Sequence, residues 1–378
     1  MKAGWVVKPL GELSDIKYGY TASASTEPIG PRFLRITDIQ DGVVNWAQVP
    51  FCDLSEKDHA RHKVQDGDIV FARTGATTGK SFYIREAPDA VCASYLIKVR
   101  PNAREANSGF LNLYFQTAEY WETIALGTEG AAQGGFNASK LAALRIPLPP
   151  LDEQQRIVAI LDEAFEGLDR ARANAEANLA SARELIENFL ALTFEFAQWP
   201  TKTLTDIAEN LDRKRVPITK SKRKAGNVPY YGASGVVDYV ADYLFDEDLL
   251  LVSEDGANLL ARTYPIAFSI SGRSWVNNHA HILRFEDLAT QEFVRLYLNS
   301  ISLVPYVSGM AQPKLNQAKL NQIPIPYPDA TARSDFVSKA EELSTRVEEL
   351  RGRYEADLQN LVGLRQSLLH RAFAGELT

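Results

Sequence analysis

The stretch "AQGGFNASKLAALRIPLPP" at residues 132–150 returns at residues 311–326 as "AQPKLNQAKLNQIPIP". Ala132, Gln133, Asn137, Lys140 and Leu141 meet Ala311, Gln312, Asn316, Lys319 and Leu320 at a constant offset of 179. After a two-residue slip the same offset resumes: Ile157 meets Phe336, Val158 meets Val337, Leu168 meets Val347, Leu185 meets Leu364 and Phe194 meets Phe373. Near the front of each half, "WVVKPL" (residues 5–10) parallels "WPTKTL" (199–204) at an offset of 194. A changing offset within one plan marks loops of unequal length. The period is far longer than the roughly 20–50 residues of a solenoid, so this is a two-copy duplication.

Each copy has two parts. A mixed segment carries short β-branched and aromatic runs ("GDIVFAR", "SFYI", "VPYYG", "HAHILRF") broken by Gly and Pro, with helical patches at 109–122 and 290–299 near its end. One long helix follows. The expected fold class is α+β, a pseudo-twofold internal repeat in which two similar mixed α/β domains are joined and spaced by two long helices that pair as a coiled coil. The corresponding boundaries are 1–150, 151–198, 199–329 and 330–378. Asp152 and Thr331 stand as N-caps, with Gln155 completing a capping box. A seam of alternating three- and four-residue spacings runs through Leu161, Leu168, Asn178, Leu185 and Phe189 in the first helix. In the second it runs through Val347, Leu350, Asp357, Leu364 and Leu368. The polar pair Asn178 and Asp357 has two readings. Either it fixes register inside the seam, or a local shift turns Leu179 and Leu358 inward instead.

Composition bounds the function. The chain has 378 residues, 45% of them apolar, which suits more than one domain and little disorder. No apolar run reaches the ~18–20 residues of a membrane span, and "MKAGWVVKPLGELSD" has no signal-peptide pattern. Cys52 and Cys92 make neither a disulfide framework nor a zinc cluster and read as two reduced core thiols. A cytoplasmic protein with no membrane partner is expected. The net charge of −7 is uneven: residues 152–198 hold 10 carboxylates against 4 cations, whereas 1–151 and 199–330 are each neutral. The acidity lies mainly on the first helix, and a basic face elsewhere is compatible with it.

Motifs that could carry chemistry fail on their spacing. "GATTGKS" (75–81) has three residues between its glycines where a phosphate loop needs four. A strand-turn-strand presenting Arg73 and Lys80 is expected instead. "NVPY" (227–230) resembles the Asn-Pro-Pro-Tyr loop of amino-methyltransferases, but no Gly-rich strand-turn-helix for a methyl donor accompanies it. A Gly-bounded turn, "NVPYYGASG", is expected, with Tyr230 and Tyr231 facing either core or DNA. His279 and His281 alternate on a strand without a third metal ligand, so a structural or base-contacting role is expected and no metal or catalytic site. The run "RKRVPITKSKRK" (213–224) is the strongest compositional signal. Arg213, Lys214, Arg215, Lys220, Lys222, Arg223 and Lys224 would neutralise phosphates, or else form a solvated loop.

These residues carry a family resemblance. "RIPLPPLDEQQRIVAILDEAFEGLD", with the helix ending "LIENFLALTFE", resembles the central conserved region of type I restriction-modification specificity subunits. "NQIPIPYPD" and "LRQSLLHRAFAGELT" are similar to the distal conserved region, and "RTGATTGK", "VPYYGASGVVDYV" and "SEDGANLLART" with "GRSWVNNHAHILRF" to stretches of the target-recognition domains. The second helix departs from the pattern, opening with "TARSDF" where the first has "LDEQ". The resemblance implies a non-catalytic subunit whose two domains each read half of a split double-stranded DNA target. Arg73, Lys80, Arg273, Asn277, His279 and the basic run are then candidate DNA contacts. It further implies that the two helices form an antiparallel coiled coil, space the half-sites and dock two modification subunits. S-adenosylmethionine, ATP and Mg would belong to partners, among which a restriction subunit is allowed, and none to this chain. The competing readings are an enzyme, requiring nucleotide-type binding by the isolated chain, and a coiled-coil adaptor with no affinity for DNA.

Overall fold

The computed structural model describes residues 2, 4–40, 42–128, 135–309 and 312–377. Ala132, Gln133 and Ala311 of the repeated phrase lie outside them. The chain separates into two compact units, Met1–Ala175 with Asp357–Thr378, and Glu176–Ala356, so each long helix contributes part of itself to both.

What the phrase does is the same in both copies. Asn137 caps the short helix Ala138–Ala142 by accepting from Lys140 N–H at 2.9 Å. Asn316 caps Gln317–Leu320 by accepting from Lys319 N–H at 3.0 Å. The paired leucines, Leu141 and Leu320, are fully buried. The Pro-rich tails then become strands: Arg145–Leu148 runs antiparallel to Val6–Pro9, and Ile325–Pro326 to Thr201–Lys202. The parallel between "WVVKPL" and "WPTKTL" thus reflects one closing ribbon built twice.

Each unit is built on a four-stranded antiparallel sheet with the same topology. In the first the order is Ser14–Tyr18, Leu96–Pro101, Ile69–Ala72, Ser81–Tyr83. In the second it is Glu209–Asn210, Ala280–Arg284, Leu249–Ser253, Ala267–Ile270. A parallel pair flanks each sheet: Arg32–Leu34 with Ala90–Cys92, and Ala225–Gly232 with Arg273–Val276. The strands Ile69–Ala72 and Leu249–Ser253 are buried along their whole length because alternate side chains feed two cores. Ile69 and Phe71 join Phe110, Tyr114 and Ile157, while Val70 and Ala72 join Leu34, Ile84 and Cys92. Cys52 and Cys92 are free and buried, and burial pushes their thiols up to about 11 and about 12, which keeps them inert.

The long helices are Leu151–Phe196 and Ala330–Ala374. In the first unit Ile157, Leu161 and Phe165, early in the first helix, pack with Leu369 and Ala372, late in the second. In the second unit Leu190, late in the first helix, packs with Phe336, Val337 and Ala340, early in the second. Within each unit the helices are antiparallel, as expected.

Their seam differs from the expected one. Ile157, Leu168, Leu179 and Leu190 recur every 11 residues and are buried or half-buried; so do Phe336, Val347, Leu358 and Leu369. The two series coincide under the offset of 179. Eleven residues fill three turns of a nearly straight α-helix, whereas a heptad seam drifts by about 20° per repeat unless the helices supercoil. One heptad row, through Leu161, Leu168, Ala175, Ala182 and Phe189, stays at least half-buried, whereas the other leaves the contact face at Asn178, Leu185 and Leu192. Leu161, Leu168, Phe189, Val347 and Leu368 are at least half-buried, but Leu185, Leu350 and Leu364 are exposed. Asn178 and Asp357 are exposed while Leu179 and Leu358 turn inward, so the local-shift reading of this pair holds.

The helix starts also differ from expectation. Asp329 caps the second helix, its Oδ1 accepting from Ala332 N–H at 2.9 Å, and the Pro150 carbonyl opens the first, accepting from Glu153 and Gln154 N–H at 2.9 and 3.0 Å. Asp152 and Thr331 lie inside the first turn, because each helix begins one or two residues earlier. Gln154, rather than Gln155, is the fastener. Its Oε1 accepts from Asn107 N–H at 2.7 Å and its Nε2 donates to the Pro149 and Glu105 carbonyls at 2.9 and 3.0 Å. The counterpart of Gln154 is Arg333, also buried, which donates to the Pro328 carbonyl at 2.6 Å and lies over the Tyr327 ring, 4.2 Å from its centroid.

The 11-residue seam predicts that Phe336→Ala costs about 3–5 kcal/mol, whereas Leu364→Ala costs less than about 0.5 kcal/mol. Equilibrium denaturant unfolding of the two variants checks this ordering, which the heptad seam would not produce.

Candidate nucleic-acid interface

The basic run crosses the second domain between the strands Glu209–Asn210 and Ala225–Gly232, with two short 3-10 turns, Asp212–Lys214 and Lys220–Lys222. It is pinned at several points. Arg215 Nη1 donates to Glu254 at 2.5 Å and to the Ala280 carbonyl at 2.9 Å. The Trp275 indole N–H donates to the Val216 carbonyl at 2.7 Å, and the Tyr230 hydroxyl accepts from Ile218 N–H at 3.0 Å. Arg223 donates to Asp238 at 2.8 Å and to the Ile218 carbonyl at 3.1 Å, and lies over the Tyr230 ring. The bond from Arg223 holds the Asp238 carboxyl below its usual range.

The pins divide the expected contacts. Arg215, Arg223 and Tyr230 are engaged inside the domain, and Tyr230 is fully buried. Arg213, Lys214, Lys220, Lys222 and Lys224 are exposed, and among the described residues they have no hydrogen-bonded or ion-paired side-chain partner. Two of the loop's three arginines, with Tyr230 of the following strand, thus go to shape, while Arg213 and the lysines are left to solvent. "NVPYYG" is a strand, not a turn: residues 225–232 pair with Gly235–Val240, and only Ala233 and Ser234 make the connection. Tyr231 is half-buried against Phe268. Arg273 pairs with Asp246 at 3.3 Å, and Asn277 is buried, its Oδ1 accepting from His279 N–H at 2.7 Å. His279 is exposed beside Asp255.

Beneath this surface lies a charged cluster that alternation on the strand only half revealed. His281 is buried; its Nδ1 meets Asp212 Oδ2 at 2.5 Å and its Nε2 meets the Leu315 carbonyl at 2.7 Å. Both ring nitrogens face oxygens, one from a carboxylate and one from a backbone carbonyl. Burial alone would raise the Asp212 carboxyl, but the His281 bond and charge, the Ile282 N–H and Arg215 outweigh it and hold the group below the carboxylate range. Burial also opposes ionisation of Glu254, which Arg215 and Lys314 hold low.

In the first domain, "GATTGK" joins the antiparallel strands Ile69–Ala72 and Ser81–Tyr83, the expected strand-turn-strand. Its amides are already used: Thr78, Gly79 and Lys80 N–H donate to the Gly75, Ala72 and Thr77 carbonyls. Gly79 has φ +92° and sits so close to Trp121 and Ile124 that a Cβ would approach each to 2.8 Å, which explains the glycine without a phosphate. Arg73 donates from Nε to the Ser94 carbonyl at 2.9 Å and lies over Tyr18; Lys80 is exposed and has no side-chain bond among the described residues. Among the described residues no group of His, Cys, Asp or Glu could hold a metal, and no helix is long and apolar enough to cross a membrane.

The family model described as "Type I restriction modification DNA specificity domain" matches residues 2–177 and 197–338. The chain belongs to the type I restriction-modification specificity family. It is 33% identical over 161 residues to a putative type I restriction enzyme specificity subunit of Haemophilus influenzae, covering 43% of this chain and 41% of that protein. It is 24% identical over 196 residues to the EcoKI specificity subunit of Escherichia coli, covering 50% and 42%. These matches thus span about two fifths of the curated relatives' length. Among solved structures, a chain of "Structural basis underlying complex assembly and conformational transition of the type I R-M system" covers 100% of this chain and 99% of itself, at TM-score 0.77 and 18% identity. The HsdS subunit from Thermoanaerobacter tengcongensis matches at TM-score 0.66 and 18% identity, covering 100% and 98%. At such identity these two likenesses establish the fold.

The low-lying Asp212 and Glu254 carboxyls stabilise the second unit at neutral pH. That contribution is complete above the unfolded values, about 4, and is lost as pH falls through the depressed folded ones. Thermal melting between pH 7 and pH 3 should show the midpoint dropping on the acid side. Asp212→Asn should cost about 3 kcal/mol at neutral pH and flatten the acid limb.

Proposed function

We propose that this chain is the DNA-reading subunit of a type I restriction-modification complex, non-catalytic by itself, with each α/β domain reading one half of a bipartite duplex target. The observation that carries this is the loop 213–224. Five exposed cations, without carboxylate partners among the described residues, stand on a backbone held by internal pins, in a chain whose net charge is −7. Unpaired cations on a fixed frame suit phosphates, whose neutralisation releases counterions. S-adenosylmethionine, ATP and Mg belong in this reading to modification and restriction subunits, and the assembly works in the cytoplasm where the DNA is.

The long helices supply a docking face for a modification subunit. In the second unit Leu185, Leu192 and Phe196 are exposed along the first helix, and the surrounding stretch is acidic. A cluster of exposed apolar side chains of this kind suits a protein contact rather than DNA.

Two experiments test these assignments. Replacing Lys214, Lys220, Lys222 and Lys224 with Ala should weaken binding about equally across sequences. The slope of log K against log salt should become shallower by up to about 3.6; loss confined to one base pair would make the loop a base reader instead. Leu192→Arg should reduce co-purification of the modification subunit while leaving the DNA affinity of the full chain unchanged. Unchanged co-purification would move the docking face elsewhere.

A further inference from the structure

The two domains end their central strands in the same loop. In the first, Ala72 pairs with Leu96, and Arg73 N–H then donates to the Tyr95 carbonyl at 3.2 Å. In the second, Ser253 pairs with Ala280, and Glu254 N–H donates to the His279 carbonyl at 2.9 Å. The chain entering the loop is also held alike: Ala93 N–H donates to the Leu34 carbonyl at 2.8 Å and Asn277 N–H to the Tyr231 carbonyl at 3.0 Å. Tyr95 and His279 therefore hold equivalent places.

A guanidinium stiffens the loop in both domains, from different points in the chain. Arg73 donates to the Ser94 carbonyl at 2.9 Å. Its counterpart is Glu254, an acid, which recruits Arg215 at 2.5 Å. That arginine reaches the equivalent Asn278 carbonyl at 3.5 Å and the Ala280 carbonyl at 2.9 Å. The frame is the same while the side chains it presents differ. Tyr95 is 61% exposed. His279 has a half-exposed ring whose Nδ1 lies 2.9 Å from the Asp255 carboxylate, and its Nε2 has no partner among the described residues. Exposed cations with no ion-pair partner among the described residues stand beside both loops: Lys80, whose carbonyl accepts from Ala72 N–H, and Arg213 with Lys214 next to Arg215.

A rigid backbone, side chains with little structural duty and neighbouring cations are what discrimination between base pairs needs, since phosphate contacts position and base contacts specify. We propose that Tyr95 in the first domain and the His279–Asp255 pair in the second are the side chains that discriminate bases, each in its own half of the target. This rests on the DNA-reading function above. Tyr95 offers a hydroxyl and a ring face. In the second domain the carboxylate orients the imidazole and can itself accept from the exocyclic amine of cytosine or adenine.

The test uses the full chain assembled with its modification subunits and a randomised duplex library read out by methylation. Tyr95→Ala should relax preference at one or two base pairs of one half-site, by roughly ten- to hundredfold in relative methylation, and leave the other half untouched. His279→Ala should do the same in the opposite half. Neither side chain supplies the backbone bonds of its loop, and both variants should keep the wild-type salt slope, unlike Lys214→Ala. Unchanged preferences, a uniform loss across sequences, or both variants acting on the same half would overturn the assignment. A wild-type assembly that methylates without sequence preference is a separate result and would remove the DNA-reading function itself.

Discussion

A 46-residue helix with one apolar stripe cannot remain single in water. Ile157, Leu168 and Leu190 need a cover, and the second helix provides it within each unit, through Leu369 and Ala372 in the first and Phe336, Val337 and Ala340 in the second. The rest of the chain is organised around that requirement. The repeated phrase has to end a domain on a strand, turn at prolines and start a helix at a fixed angle, and it does this with an Asn cap, a buried Leu and a two-stranded ribbon in each copy.

Much of the plan was legible because duplication writes it twice. Offset arithmetic located the two helices and matched their residues, while their antiparallel sense came from the family resemblance. The finer register was not legible. Spacings of three and four fit both a 3.5- and a 3.67-residue period over a few turns, and only burial across many turns separates them. Leu185 and Leu364 looked like seam residues and are exposed; Leu179 and Leu358, beside the polar pair, are half-buried instead. The caps slipped for a simpler reason. A proline carbonyl starts the first helix, and a side-chain pattern cannot reveal a backbone acceptor.

The candidate interface was legible as composition but not as geometry. Seven cations in the loop 213–224 look alike in a string, yet Arg215 and Arg223 turn inward because bidentate donors suit buried carboxylates and carbonyls, while lysines keep their hydrated heads in solvent. Alternation placed His279 and His281 on opposite faces, but nothing nearby in the sequence announced Asp212 or Leu315 as the partners of His281. Long-range closure decides such residues. Tyr95 was missed because an isolated exposed tyrosine carries no pattern, and only superposing one copy's hydrogen bonds on the other's singles it out.

The exchange of Gln154 for Arg333 has an evolutionary edge. An amide both accepts and donates, and Gln154 uses both abilities; a guanidinium can only donate. Placed in the first copy, it would point a donor at the Asn107 N–H, and glutamine in the second would abandon the Tyr327 ring. Each head has become the proper socket for its own shaft. Recombination that trades whole head-and-shaft cassettes is then tolerated, whereas a crossover between head and shaft leaves a buried mismatch.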